Sequence, residues 1–184
     1  MIKSIEPEGS FKGYASVFHH LDDQGDRVLP GAFTKTLADW RRQGIPPKML
    51  WQHNQAEPIG WWKTIHEDHK GLYVEGQLLL SLRKAQEIYE MLKNRMIDGL
   101  SIGCRVIEAE QGEKPGERLL KTIDLFEISL VTFAANTKAR ILTVKSHTDT
   151  NLPPAQQRLL ASLNKAIKTL RSHSIQILSS SESI

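Results

Sequence analysis

The chain has 184 residues and a mass of 20.8 kDa, enough for one domain of ordinary size with an appendage and too little for two full domains. Its 40% hydrophobic and 24% charged residues are ordinary globular usage, which excludes disorder throughout. The formal net charge is +3, but residues 1–137 carry 17 Lys and Arg against 19 Asp and Glu while residues 138–184 carry 7 against 2, so the basic balance belongs to the tail and no specific nucleic-acid partner is expected. Cys104 is the only cysteine, which excludes an internal disulfide or a multi-thiolate zinc site and fits a reducing compartment. No apolar run approaches the ~18–20 residues of a membrane span, and Met1-Ile2-Lys3-Ser4-Ile5-Glu6 lacks a signal peptide's apolar stretch. A soluble protein made in a cytoplasm is expected.

In chain order, residues 13–18 alternate as a half-buried strand does. Asp22 to Asp26, then Val28-Leu29-Pro30-Gly31, supply turn chemistry. Residues 32–42 read as a helix with Phe33, Leu37 and Trp40 on one face, stopped by Gly44 and Pro46-Pro47. Residues 48–53, 58–65 and 71–80 read as three strands of an antiparallel meander. Ser81 is the expected N-cap of a helix over residues 82–96, with Ala85, Ile88, Leu92 and Met96 on one face and Gly99 as its stop. Strands over residues 100–107 and 119–133 flank a Gly- and Pro-containing loop. The expected fold is α+β, a mainly antiparallel β-barrel or sandwich with at least two helices, over residues 1–145. Residues 146–184 read as a linker and a basic amphipathic helix, with Leu159, Leu160, Leu163, Ala166, Ile167 and Leu170 on its apolar face.

Hydrolysis through a nucleophile needs a hydroxyl or thiol, a base that titrates near neutrality, and a group that orients the base. His53 follows Trp51-Gln52 just before turn-forming residues, where its ring would face a cleft at a strand end; a surface or satisfied core histidine is the alternative. Ser101 lies between Gly99 and Gly103, and alternation would put Ser101, Gly103 and Arg105 on one face of the strand, open beside the serine; a small polar residue facing solvent is the alternative. Glu127 is a carboxylate inside a strongly apolar strand and needs a partner or solvent, with Asp124, on the opposite face by alternation, as its rival. His66-Glu67-Asp68-His69 and His19-His20 with Asp22, Asp23 and Asp26 read as turn chemistry and not as metal sites.

Five strings, Gly13 to Phe18, Asp22 to Asp26 with Pro30-Gly31-Ala32-Phe33, Leu50-Trp51-Gln52-His53-Asn54, Ile97 to Gly103 and Phe126 to Thr132, occur in an order that resembles the tailed-bacteriophage prohead maturation proteases, over about residues 10–141. That family is regarded as a relative of herpesvirus assemblin, so the resemblance implies a closed β-barrel surrounded by helices. It also implies a serine endopeptidase with Ser101 as nucleophile, His53 as general base and then acid, and Glu127 orienting His53 where the herpesvirus enzymes use a second histidine. Neither cofactor nor metal is implied. The implied partner is the major capsid protein or its scaffold segment, met inside the assembling prohead in the host cytoplasm, with self-cleavage and a dimer as further expectations. Oxyanion donors are expected in the turn Asn136-Thr137-Lys138 or from Arg105. A non-catalytic assembly factor that keeps the fold, and a shell component binding nucleic acid through the basic tail, are the rival readings.

Overall fold

The computed structural model describes residues 8–145 and, in isolation, Ser162. The tail helix and the linker expected over residues 146–184 therefore lie outside the described residues.

Eight strands and two helices follow one another as β1 (Ser10–Val17), β2 (Asp26–Val28), α1 (Thr34–Gln43), β3 (Lys48–Trp51), β4 (Asn54–Glu67), β5 (Gly71–Leu78), α2 (Arg83–Lys93), β6 (Gly99–Gln111), β7 (Arg118–Val131) and β8 (Ile141–Val144). The strands form one sheet in the order β2-β7-β3-β4-β5-β1-β8, with β6 paired to β7. Five strand pairs are antiparallel; β2 and β3 run parallel to β7. The expected closed barrel surrounded by helices is thus a curled half-barrel with two helices among the described residues. Its ends meet at an isolated bridge between Gly99 and Arg140, at flanking backbone bonds such as that from the Leu100 N–H to the Ala139 carbonyl, and at the ion pair of Arg140 with Asp98. The short strands β2 and β8 are not legible as strands in the sequence: β2 has three residues, and β8 leaves Leu142 exposed.

The core is continuous from Phe11, Met49, Ile59, Leu72 and Val74 on the sheet to Phe33 and Leu37 of α1 and Ile88, Tyr89 and Leu92 of α2. Each large side chain so buried contributes about 1.5–3 kcal/mol. Helix α1 begins two residues later than expected and has no capping side chain of its own. Glu67, reaching over from β4, accepts the N–H groups of Gly31 (3.1 Å) and Phe33 (2.8 Å), which places a carboxylate where the free amides and the helix dipole favour one. At the other end Gly44 adopts φ 69° and donates its N–H to the Trp40 carbonyl, as the sequence predicts. Helix α2 departs from expectation at both ends. Its N-cap is Leu82, not Ser81, and it stops at Lys93 with Arg95 in the left-handed region at φ 55°, leaving Gly99 to open β6. Gly99 is needed there for a different reason, since a Cβ would lie 2.7 Å from the Val131 carbonyl oxygen.

The acidic segments have structural partners. Asp22 Oδ1 accepts the N–H groups of Gln24 and Asp26, Asp68 accepts the Tyr14 hydroxyl and the N–H groups of Lys70 and Gly71, and Asp26 is gripped by Arg118 through two bonds of 2.6 and 2.7 Å. Among the described residues, no three His, Cys, Asp or Glu side chains are grouped to hold a metal ion, and no helix is long and apolar enough to cross a membrane.

Candidate active site

Strands β6 and β7 carry two of the three candidates, and their register decides what meets. Ser101 lies opposite Ser129, and Gly103 lies opposite Glu127. The next pair is Cys104 with Leu125, so Phe126 is an extra residue on β7. This bulge resets the alternation. In an unbroken strand Leu125, Glu127 and Ser129 would share a face; here Ile123 and Leu125 go to the core, Phe126 is left half exposed, and Ile128 and Leu130 return to the core. Glu127 and Ser129 are thereby turned to the side that bears Ser101. The same slip corrects the expected opposition of Asp124 and Glu127: Asp124 comes to the Glu127 side, opposite Arg105, which binds it through Nη2 at 2.8 Å. Asp124 is therefore engaged elsewhere, and so is Arg105, whose guanidinium also lies 5.5 Å from the Phe126 ring centre.

His53 comes from the other side of β7. Rather than ending a strand, it is the second residue of a two-residue turn between β3 and β4, whose flanks Trp51 and Asn54 are paired. Gln52 and His53 both have positive φ, 51° and 60°, the pattern of a type I′ hairpin turn. For side chains other than glycine this conformation costs on the order of 1–2 kcal/mol per residue. Three bonds to β7 and its extension hold it: the Gln52 N–H to the Leu130 carbonyl (3.0 Å), the Gln52 side-chain amide to Thr132 Oγ1 (2.8 Å), and the His53 N–H to Ser129 Oγ (3.0 Å). An otherwise disfavoured turn is tied to the strand that carries Glu127.

There the His53 ring meets the carboxylate, with Nδ1 2.5 Å from Glu127 Oε1. The second oxygen, Oε2, accepts the Ser129 hydroxyl at 2.6 Å. Glu127 is only 9% exposed, a placement that is costly for a charge without partners, and these two bonds supply them. The hydrogen bond to Glu127, and behind it the carboxylate's charge, raises the His53 pKa above the ordinary imidazole value against the opposing effect of burial. With Nδ1–H donated to the carboxylate, Nε2 is left with its lone pair and has no partner among the described residues. The Ser101 hydroxyl likewise has none there. Ser101 is half-buried; a cavity of about 230 Å3 that it borders is lined also by Leu100, Ile102, Cys104 and Val106, which alternate with it along β6, and not by His53 or Glu127. The Cys104 thiol beside it is pushed up to about 11, chiefly by burial and then by the carboxylates of Asp26 and Glu127, and stays protonated and unreactive. A larger hollow of about 510 Å3 between the end of α2 and β8 contains no histidine, and its one carboxylate, Asp98, is bound by Arg140.

The geometry thus pairs His53 with Glu127 directly and sets Ser101 one residue pair away on the same face, without a Ser101–His53 hydrogen bond. Lys138 donates its N–H to Asn136 Oδ1 (3.2 Å), so that amide is already occupied. Ser129 is a site residue that sequence reasoning does not single out, although it carries a signal: a hydroxyl two positions from Glu127 in an otherwise apolar run.

Gly103 leaves the space that Glu127 fills, because a Cβ at that position would lie 2.1 Å from Oε1. The clash is with the end of a side chain, so Gly103→Ala is expected to fold with a modest loss, about 1–3 kcal/mol, by displacing the carboxylate. Titration of the His53 ring by NMR should then show its pKa falling back toward the ordinary value. An unchanged titration would mean that Glu127 keeps its place.

The sequence profile described as "Caudovirus prohead serine protease" matches residues 1–153. The chain is 40% identical over 141 residues to the prohead protease of Enterobacteria phage HK97, covering 76% of this chain and 61% of that protein. It therefore spans about three fifths of that relative's length. Among solved structures, the bacteriophage T4 capsid assembly protease aligns with a TM-score of 0.56 at 7% identity, over 72% of this chain and 87% of that one. The KSHV protease, solved with a hexapeptide phosphonate inhibitor, aligns with a TM-score of 0.52 at 10% identity, over 85% and 76%. At such identities the two structures speak for the fold alone, and they place the half-barrel with the herpesvirus-protease-like folds.

Proposed function

The chain belongs to the caudovirus prohead serine protease family, and from that premise we propose that it is a capsid-maturation serine endopeptidase acting through Ser101, His53 and Glu127. The observation that carries the residue assignment is the 2.5 Å contact between His53 Nδ1 and Glu127, made on the sheet face that presents Ser101. Glu127 fixes the tautomer with a proton on Nδ1, so Nε2 is the base. As Ser101 Oγ attacks the scissile carbonyl carbon, Nε2 takes its proton and the carbonyl oxygen becomes an oxyanion. The imidazolium, stabilised by Glu127, then gives that proton to the leaving amine as the C–N bond breaks. Water attacks the acyl-enzyme with the same residue as base, and Ser101 is released.

The substrate proposed is the scaffold segment of the capsid protein, or a separate scaffold, cut inside the assembling prohead. Support for it comes from the HK97 relative's designation as a prohead protease and from the family description. None of the three residues lies within 146–184, so the chemistry is assigned to residues 1–145.

A fluorophosphonate probe for serine hydrolases tests the assignment. One covalent adduct is expected, mapped by peptide mass to Ser101 and lost when His53 is replaced by alanine. A protein that takes no label, or takes it elsewhere, would contradict the mechanism.

A further inference from the structure

We infer that Ser129 is a positioning residue of this site: its hydroxyl clamps the backbone of the His53 turn to the carboxylate of Glu127, so that base and orienting group are held as one unit. The inference rests on the protease reading given above. Ser129 is fully buried, at 0% exposure, near the C-terminal end of β7, between β3 and β6. A serine hydroxyl has one proton to donate and lone pairs to accept. Both functions are used within the site: the proton goes to Glu127 Oε2 at 2.6 Å, and the oxygen receives the His53 N–H at 3.0 Å. A serine with a merely local role would make no bond beyond its own strand, whereas this one joins Glu127, two residues back on β7, to the turn between β3 and β4. It commits its proton and a lone pair to the two residues whose relative placement sets the direction of Nε2.

The clamp also explains how two unrelated constraints meet. Glu127 has two oxygens, and a carboxylate held at one of them can still rotate about its last bonds. With Ser129 on Oε2, Oε1 is aimed at Nδ1. His53 in turn has a positive φ, which the chain leaves readily unless its N–H is held. One hydroxyl restrains both. Ser129 is not itself a candidate nucleophile, because its proton is committed to a carboxylate and it has no exposed surface. Its register partner Ser101 is only half-buried and is unpartnered among the described residues.

The test is steady-state kinetics on a peptide carrying a capsid cleavage site, with the full chain. Ser129→Ala is expected to lower kcat about tenfold to a hundredfold, the scale of an ångström-sized misplacement of reacting groups, with KM within about twofold. In a Glu127→Gln background the same replacement should cost less than about threefold more, because the residue acts through Glu127. A third readout is independent of turnover. The low-field NMR resonance of the His53 Nδ1 proton should move upfield in Ser129→Ala protein whose circular dichroism is native. An unchanged kcat, losses that multiply across the two backgrounds, or an unmoved resonance would each overturn the inference. Should the alanine variant fail to fold, Ser129→Cys, with a similar shape and a weaker donor, is measured in the same three ways, and the same three results would overturn it. Failure of the protease reading looks different: Ser101→Ala would then turn over as fast as wild type, whatever the resonance does.

Discussion

Ser101→Ala is expected to abolish processing of the capsid precursor, lowering kcat by about a million-fold, the scale seen when the nucleophile of a serine-protease triad is removed. The replacement is clean in structural terms. The Ser101 hydroxyl has no hydrogen-bond partner among the described residues, so its removal orphans no buried group, and stability should stay within about 0.5 kcal/mol of wild type. Nothing beside it can substitute. Ser129 has committed its proton to Glu127, and Cys104, raised to about 11, holds its proton at neutral pH. The measurement is intact mass of capsid precursor after incubation with each protein. Wild type should yield discrete fragments and the variant none. Identical fragments from both would defeat the protease reading, and no fragments from either would favour an assembly factor that keeps the fold without the chemistry.

The proposed site residues carry local signals in the sequence, for a reason that also marks where legibility ends. His53, Ser101 and Glu127 each stand beside residues that announce a local state: turn formers after the histidine, glycines around the serine, and apolar residues around the carboxylate. What joins them is not local. The bulge at Phe126 is a property of the pairing of two strands, and no composition rule separates Asp124 from Glu127 until the slip is known. Simple alternation puts Asp124 on the wrong side for this reason. The turn at Gln52-His53 carries none of the Asn or Gly that usually marks a type I′ turn, because tertiary bonds to Leu130, Thr132 and Ser129 hold it in place of local propensity. Similarly, the N-terminus of α1 is misplaced by local rules because its cap, Glu67, is supplied from β4 more than thirty residues away. The half-barrel differs from the expected closed barrel in the same way, since closure depends on strand ends meeting across the sheet. Propensity is silent about that.

Glu127→Gln separates the electrostatic role of this residue from its shape, and the expected loss in kcat is about three to four orders of magnitude. The amide has nearly the volume of the carboxylate but one acceptor and one donor in place of two acceptors. If its oxygen faces His53 Nδ1, the NH2 is turned to Ser129 Oγ, which already accepts the His53 N–H, and the imidazolium formed during attack has lost its counter-charge. If the NH2 faces Nδ1, the ring must take the other tautomer and Nε2 can no longer accept the Ser101 proton. The first arrangement weakens the base and the second blocks it. The pH profile distinguishes this from a general loosening of the site. In wild type the bond to Glu127 raises the His53 pKa, so the acid limb of kcat/KM should lie above the ordinary imidazole range. Without the carboxylate the ring is easier to deprotonate, and the limb should move to lower pH even as the plateau falls. Stability follows with a definite sign. A histidine whose pKa is raised by folding contributes stability below its unfolded pKa and loses it as pH rises through the folded value. Wild type should therefore exceed the Glu127→Gln variant in Tm by the widest margin in mildly acidic solution and by less above neutrality, as far as His53 alone sets the difference. A profile that drops without moving its acid limb would mean that Glu127 serves shape and not charge.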